Sequence, residues 1–377
     1  MFDILILGAG PAGSSAALTL KNSGLKVALV DKAHFPRHKT CGDAIPGPTL
    51  KALRQIIPDF DNELQQLEMK QYVKYCHIVA PNNKAIAIQW QAEAYNSPRK
   101  DFDGFLFSQV KKHTETEVFK DFEVAEITKE NNIWQLKQRG SDKVLQARLL
   151  IGCGGANSVL AKHVAHHNLN RERHCTAVAA YYKGVDCDSL TNKFYLFKNY
   201  LPGYFWIFPL GENTFNVGFG IVSSEAAKHN IKLREVMDDI ITNEPAVAPL
   251  FTAATQTSDV KGFGLPIGGV EIPISGDGYM LAGDAASLID PLQGHGIDKA
   301  AYSGIMAAQK AKLCFTQNNF TADFIKKYDQ KVYAKYGAEL RRNYQLMRLL
   351  NKNPWVLNIA ARFAGISWVK KAVLKRF

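Results

Sequence analysis

Six residues near the start of the chain, Gly8-Ala9-Gly10-Pro11-Ala12-Gly13, have the types and spacing to cradle a pyrophosphate. In a GxGxxG turn between a strand and a helix, the first glycine permits the tight turn and the second lets backbone approach the phosphates. The third lets the helix pack close to the strand. Those positions are Gly8, Gly10 and Gly13, and Ala12 lies in the first turn of a helix whose free amides and positive end attract an anion. Asp31 stands 18 residues after Gly13, at the end of the next apolar run, where a carboxylate can accept both ribose hydroxyls of an adenosine half. This pattern marks a dinucleotide without separating NAD from FAD, and a glycine-rich turn of an unrelated α/β sheet is the bland alternative.

About 270 residues further on, Leu281-Ala282-Gly283-Asp284-Ala285-Ala286, followed by Pro291, Gly294, Gly296 and Ile297, reads as a buried strand, a polar turn and a glycine-rich helix entry. Alone, an aspartate at a strand end is usually a turn or cap residue. His295 between the two glycines is ionisable near neutral pH, with capping or solvation as its ordinary use. Between Phe35 and Asp43 the chain clusters Arg37, His38, Lys39 and Cys41 beside Gly42, close to Asp31 and Lys32. That is either a solvated loop or a cofactor contact. In Tyr204-Phe205-Trp206-Ile207-Phe208-Pro209, strand alternation puts Tyr204, Trp206 and Phe208 on one face, as core packing or as an apolar wall for a ligand.

The Gly283–Gly296 segment resembles the GDAAxxxxPxxGxG of FAD enzymes in the para-hydroxybenzoate hydroxylase-like superfamily. The run PRxKxCG from Pro36 to Gly42, the RxxFDxxL from Arg99 to Leu106 and the YxWxFP from Tyr204 to Pro209 resemble the geranylgeranyl reductase family within it. The resemblance covers residue 1 to about 310 and implies that FAD is the cofactor. It implies that Asp284 bonds a ribityl hydroxyl, that Gly296 and Ile297 bring amides to the flavin, and that Cys41 and Gly42 contact it. Arg99 would touch the FAD and Val124 would hold the adenine through its backbone, while Lys32, Pro291 and Gly294 belong to the same binding segments. A helix start near the flavin would favour its anionic reduced form. Two departures stand out. The family's leading proline falls at Leu201, with Pro202 one residue late, and Gly154 in Gly152-Cys153-Gly154-Gly155 replaces an aspartate of the wider superfamily. The second leaves the electron donor open between NAD(P)H and another reductant.

The elements that must position these residues follow from periodicity. Strand 4–7, helix 11–23 and strand 26–30 make a β-α-β opening, followed by a helix near 49–57, strands at 71–80 and 85–90, and a helix at 99–113. Strands are expected at 118–127, 132–138, 144–151, 175–186, 193–199, 203–210 and 213–222. A helix over 224–243, a strand at 279–283, and helices near 295–315 and 321–345 complete the order. The fold class expected is α/β: an FAD-binding Rossmann-like domain of glutathione reductase type, an interleaved antiparallel-sheet substrate domain, and a helical C-terminus. The FAD-binding domain is expected over 1–70, 99–165 and 275–320, the substrate domain over 71–98 and 166–274, and a basic helical region over 321–377.

Composition narrows the classes. With 377 residues, 46% hydrophobic and 21% charged, the chain is globular rather than disordered. Of its net charge of +11, residues 321–377 carry +10, from 13 basic and three acidic residues. Nothing resembles a nucleic-acid-reading module, so the basic tail suggests either a peripheral membrane contact through 354–377 or docking onto the protein's own core. Trp355, Ile359, Phe363 and Ile366 share one helical side there. Six cysteines without CxxC or zinc spacing imply reduced thiols and no metal. Without a leader before the first strand, a cytoplasmic protein is expected, peripheral at the inner face of the membrane if the tail binds lipid.

Three functions follow. The first is an FAD-dependent reductase that delivers hydride to a C=C bond of an isoprenoid or other lipid-like substrate, with Cys41 and His295 as candidate catalytic groups and Tyr204, Trp206 and Phe208 facing the substrate. The second is a flavin-dependent monooxygenase or halogenase acting through a flavin hydroperoxide, and the third a non-catalytic membrane-surface flavoprotein.

Overall fold

Strands buried on both faces are apolar, and Val27–Val30 is so throughout and Phe2–Leu7 from Ile4 onward, after the half-buried Asp3. In the computed structural model, which describes residues 1–362, they form the centre of an eight-stranded sheet. Its main path runs Ser275–Gly276, Tyr279–Leu281, Val144–Gly152, Phe2–Leu7, Val27–Val30, Glu117–Phe119. All neighbours from Tyr279–Leu281 to Glu117–Phe119 are parallel. Gly8, Asp31, Cys153 and Gly283 therefore emerge together beyond the carboxyl ends of adjacent strands, the edge where open α/β sheets bind ligands. The hairpin Val124–Glu130 and Ile133–Gln138 joins antiparallel through Val144–Gly152.

The helices Pro11–Thr19 and Ile297–Thr316 pack against each other without an intervening side chain. A Cβ at Gly304 would stand 2.1 Å from the Ala12 carbonyl oxygen, and one at Gly283 would stand 3.3 Å from the Ala12 Cβ. The two glycine-bearing segments, remote in sequence, are thereby locked side by side.

A nine-stranded sheet follows the order Thr255–Gln256, His174–Lys183, Thr214–Val222, Tyr204–Gly211, Thr191–Tyr195, Gln71–Val79, Ala85–Asn96, Ala44–Ile45. Lys261–Pro266 also pairs with His174–Lys183, and all pairs are antiparallel except Thr191–Tyr195 with Gln71–Val79. One face buries Phe205, Ile207, Val217 and Phe219 with Met237 and Ile240 of the helix Leu233–Asn243. The opposite face carries Trp206 and Phe208.

Several element boundaries differ from the sequence expectation. The helix expected over 224–243 is two, Ser223–Lys228 and Leu233–Asn243, because Asn230 adopts the left-handed region at φ 50°. The strand expected over 118–127 is likewise broken into Glu117–Phe119 and Val124–Glu130, with Asp121 left-handed between them. The helix expected at 49–57 stops at Leu53, and 321–345 becomes Ala322–Ile325 and Lys327–Lys352. The strands Ala44–Ile45 and Lys261–Pro266 and the helix Phe60–Gln65 were not anticipated. The first is two residues long, and in Lys261–Pro266 glycines replace the alternating side chains that signal a strand. Trp355–Arg362 is the last described helix, so Phe363, Ile366 and the rest of the tail lie outside the described residues. No described helix is long and apolar enough to cross a membrane.

Candidate functional site

The three glycines of the first turn do different jobs. Gly8 sits at φ +108°, and a Cβ there would lie 2.3 Å from the Cys153 carbonyl oxygen; a Cβ at Gly13 would lie 1.8 Å from the Gly8 oxygen. Those two are glycine because the protein's own backbone fills the space. At Gly10 the only atom of the described residues within 4 Å of such a Cβ is Arg37 Nη2, at 3.6 Å, which leaves space in front of it for a ligand. The helix behind has no side-chain cap and no acid in its first turn, which leaves its amides to an anion. Asp31 accepts the Ala9 N–H (2.7 Å) on Oδ2 and the Ala33 N–H (2.8 Å) on Oδ1, tying the second strand's end to the glycine turn.

Arg37 reaches into this end from the 35–43 loop. Its Nη1 lies 3.2 Å from Asp103 Oδ2 but without hydrogen-bond alignment, and it has no other partner although buried. Asp103 is already taken by the fork of Arg99, whose Nε and Nη2 donate to its two oxygens at 2.7 and 2.8 Å. Burial disfavours the Arg99 charge, but Asp103 and the neighbouring Cys41 thiol outweigh it and hold the guanidinium firmly protonated. The Arg37 guanidinium thus pairs with Asp103 through Nη1 and presents Nη2 beside the open glycine turn, where it suits the diphosphate of a dinucleotide.

Around Cys41 the loop is held by buried polar groups. Asp43, fully buried at φ +63°, accepts the Arg99 N–H (3.2 Å), the Tyr181 hydroxyl (2.9 Å) and the Asn216 amide (2.7 Å). Burial pushes its carboxyl up to about 7 in spite of these three donors. Asn216 also donates to the Cys41 carbonyl (2.7 Å) and accepts the Trp206 indole N–H (2.8 Å). Lys39, in the same loop, pairs with Asp284 of the second segment at 3.2 Å.

The second segment is fastened to the aromatic strand by Tyr204, whose hydroxyl donates to the Gln293 carbonyl (2.9 Å). Tyr204, Trp206 and Phe208 do share a face, with ring centroids 6.0 and 6.2 Å apart in succession. Room for the indole comes from Gly218, where a Cβ would stand 2.2 Å from Trp206. His295 bonds Asp298 at 3.0 Å. Burial works against the Asp298 charge, but His295 and Lys299 hold its carboxyl well below the ordinary range. Among the described residues Asp290, His295 and Glu339 come close enough to suggest a metal. Asp290 already accepts the Leu292 and Gln293 amides and the Asn343 side chain, and the Lys299 ammonium lies 3.4 Å from Glu339. That position carries its own cation.

One cavity of about 940 Å³ gathers the expected residues. Gly8, Gly10, Ala12, Asp31, Lys32, Cys41, Gly42, Arg99 and Val124 line it. So do Asp284, Pro291, Gly294, His295, Gly296 and Ile297, and Tyr204, Trp206 and Phe208. Gly13 alone of those expected is not among the lining residues, since it packs on Gly8 instead. Sequence reading missed the roles of Asp43, Tyr181, Asn216 and Asp103. Two of them offered a signal: Asn216, a polar residue in the apolar run Thr214–Val222, and Asp103, the aspartate of RxxFDxxL, four residues after Arg99.

A parallel sheet with a glycine-rich first turn, joined by a second glycine-rich segment over the same cavity, defines a flavin-nucleotide-binding oxidoreductase. The chain belongs to the FAD binding domain family, whose sequence pattern matches residues 1–315. It is similar to digeranylgeranylglycerophospholipid reductase of Methanococcus vannielii (28% identity, spanning 93% of this chain and 87% of the relative) and to that of Thermoplasma acidophilum (28%, 91% and 86%). Its fold matches a geranylgeranyl bacteriochlorophyll reductase-like protein of Thermoplasma acidophilum with a TM-score of 0.87 at 24% identity, covering 100% of this chain and 96% of the other. A flavin-dependent brominase shares the fold at TM-score 0.78 and 20% identity, covering 100% of this chain and 99% of the other. The protein is an FAD-dependent oxidoreductase similar to geranylgeranyl reductases.

Proposed function

We propose that this enzyme reduces C=C bonds in the isoprenoid chains of a polar lipid. The observation that carries the reading is the continuity of one cavity from the open glycine turn at Gly10 to the aromatic face of Tyr204, Trp206 and Phe208. Relatives named for reducing an isoprenoid phospholipid, matched over more than nine-tenths of this chain, support it.

When bound and reduced, FAD supplies a hydride to one carbon of the alkene. The chain's own residues do the rest. Gly10, the helix start and Arg37 take the diphosphate, Asp31 the adenosine ribose and Asp284 the ribityl chain, with Lys32, Val124, Pro291, Gly294, Gly296 and Ile297 completing the cradle. Arg99, its fork spent on Asp103, holds the Cys41 corner and touches the cofactor with what remains. The aromatic face orients an apolar chain and excludes water, which an unactivated alkene requires of its site. Cys41 and His295, both on the cavity wall, are the candidate acids, and one of them hands a proton to the second carbon. The electron donor is NAD(P)H or another reductant. The division into an FAD-binding domain (1–70, 99–165, 275–320), a substrate domain (71–98, 166–274) and a C-terminal region is part of this reading. The strand Ala44–Ile45 crosses that division to pair with Ala85–Asn96.

A lipid surface is the source of such a substrate, and the C-terminal helices are the contact we assign to it, on the inner face of the membrane. Met347 lines the cavity, and beyond it Leu349, Trp355 and Ile359 are 51, 60 and 47% exposed, in a region of net positive charge.

The test is anaerobic. Protein carrying FAD is reduced with dithionite, mixed with a polyprenyl phospholipid in detergent, and followed near 450 nm. Reoxidation matched by loss of a double bond in the lipid is the expected result. A product that forms only with oxygen would move the protein to the monooxygenase and halogenase class.

A further inference from the structure

We infer that Asp43 is a titratable positioning residue: its carboxylate pins the Cys41–Gly42 loop and, through Asn216, the Trp206 indole on the cavity wall, and its protonation releases them.

The hydrogen bonds carry the inference. Every group that reaches the Asp43 oxygens in the structure is a donor: the Arg99 backbone N–H on Oδ1, and the Tyr181 hydroxyl and Asn216 amide on Oδ2. A carboxylate satisfies all three. A carboxylic acid brings a proton that needs an acceptor, which the Tyr181 oxygen can provide by turning, or the Asn216 amide by flipping and giving up its bond from Trp206. The cluster must then rearrange at Oδ2, where Asn216 is fastened. Asn216 holds three things with one side chain: Asp43, the Cys41 carbonyl and the Trp206 N–H. Loosening it therefore loosens both the loop and the wall. The two are also in contact, since a Cβ at Gly42 would lie 3.0 Å from the Phe208 ring.

The guanidinium and carboxylate side chains around Asp43 are paired with one another. Arg99 and Asp103 neutralise each other in a bidentate pair, and Arg37 shares Asp103. Cys41 lies on the same loop, and Tyr181 also feels Cys41 and Asp101. Asn216 and Trp206 bring no charge. Burial places the Asp43 carboxyl at about 7, so both forms are populated near neutral pH. The backbone there is left-handed at φ +63°, a region that aspartate enters more readily than most non-glycine residues.

That this wall faces substrate rests on the proposed function; the switch itself does not, and the experiment keeps them apart. The full-length protein loaded with FAD is labelled with 15N-tryptophan, its five indole resonances are followed from pH 5 to 9, and Trp206 is assigned with Trp206→Phe. The Trp206 indole resonance is expected to titrate with one inflection near neutrality. In Asp43→Asn, which keeps the shape and cannot ionise, that inflection disappears. In Tyr181→Phe, which removes a donor to the carboxylate, it moves up by roughly one pH unit. A Trp206 resonance that is flat in the unaltered protein, or an inflection that persists in Asp43→Asn, overturns the inference. If Asp43→Asn does not fold, an inflection left unmoved by Tyr181→Phe overturns it as well. Titration as expected in a protein that reduces no alkene would leave Asp43's role standing and remove the proposed reaction.

Discussion

The two ends of the cavity are built by opposite means. At the end proposed for the nucleotide the wall is mostly backbone: a turn at Gly8, an open face at Gly10 and the amides of a helix start lie within one stretch of chain, with the Asp31 and Arg37 side chains beside them. At the aromatic end it is made by side chains from separate segments. Cys41 and Asp43 come from a loop, Arg99 from a helix, Tyr181, Trp206 and Asn216 from three strands of the second sheet, and His295 from a late turn. Backbone recognition tolerates many neighbouring side chains but no Cβ in the wrong place. Side-chain recognition tolerates small backbone shifts but depends on every partner in a buried network being satisfied.

Substitutions can break this contrast. The largest effect is expected at Gly8→Ala, where the new Cβ meets Cys153 backbone in a conformation that L side chains rarely adopt. A loss of about 4 kcal/mol or more is expected by chemical denaturation of the apoprotein. Gly10→Ala, by contrast, leaves the apoprotein within about 1 kcal/mol of its original stability and weakens FAD binding instead. Equal stability losses at both positions would erase the distinction between a glycine required by packing and one required by the ligand.

The aromatic end answers to pH. An aspartate in the unfolded chain ionises near its ordinary value of 3.8, whereas Asp43 in the fold does so at about 7. Between those values the native protein keeps a proton that the unfolded chain has lost. The stability present below pH 4 is therefore lost as pH rises to about 7, by an amount on the order of 4 kcal/mol. Urea denaturation at a series of pH values should show this decline, and Asp43→Asn should flatten it.

Smaller effects sharpen the comparison. Arg37→Met removes the guanidinium that faces Gly10 at the nucleotide end, and FAD affinity is expected to fall roughly 10- to 100-fold, the worth of a charge-assisted contact. Thermal stability of the apoprotein should change little, as measured by calorimetry beside a flavin fluorescence titration. At the other end, Tyr204→Phe deletes one hydrogen bond to the Gln293 carbonyl while keeping the ring in the wall. A loss of about 1 kcal/mol is expected, with the visible spectrum of bound flavin as the check on whether the Gly294–Gly296 turn has moved.

The chain by itself determined the pieces whose meaning is local. Gly8 to Gly13, Asp31 and the Gly283–Gly296 segment were legible because a tight turn, a strand end and a helix start impose residue types at fixed spacing, and Gly8, Gly10, Ala12, Asp31, Asp284, Pro291, Gly294 and Gly296 line the cavity. Alternation likewise put Tyr204, Trp206 and Phe208 on one face, and left open whether that face was core or ligand wall. Tertiary structure decided what distant segments do to each other. It opened the aromatic face onto the cavity, spent the Arg99 fork on Asp103, brought Arg37 beside Gly10 and exposed Trp355 and Ile359. Most of all, it made Asp43 a switch, because its partner Asn216 stands 173 positions away in the chain. Burial and hydrogen-bond partners set the charge of a carboxyl, and both are properties of what packs around it rather than of its neighbours in sequence.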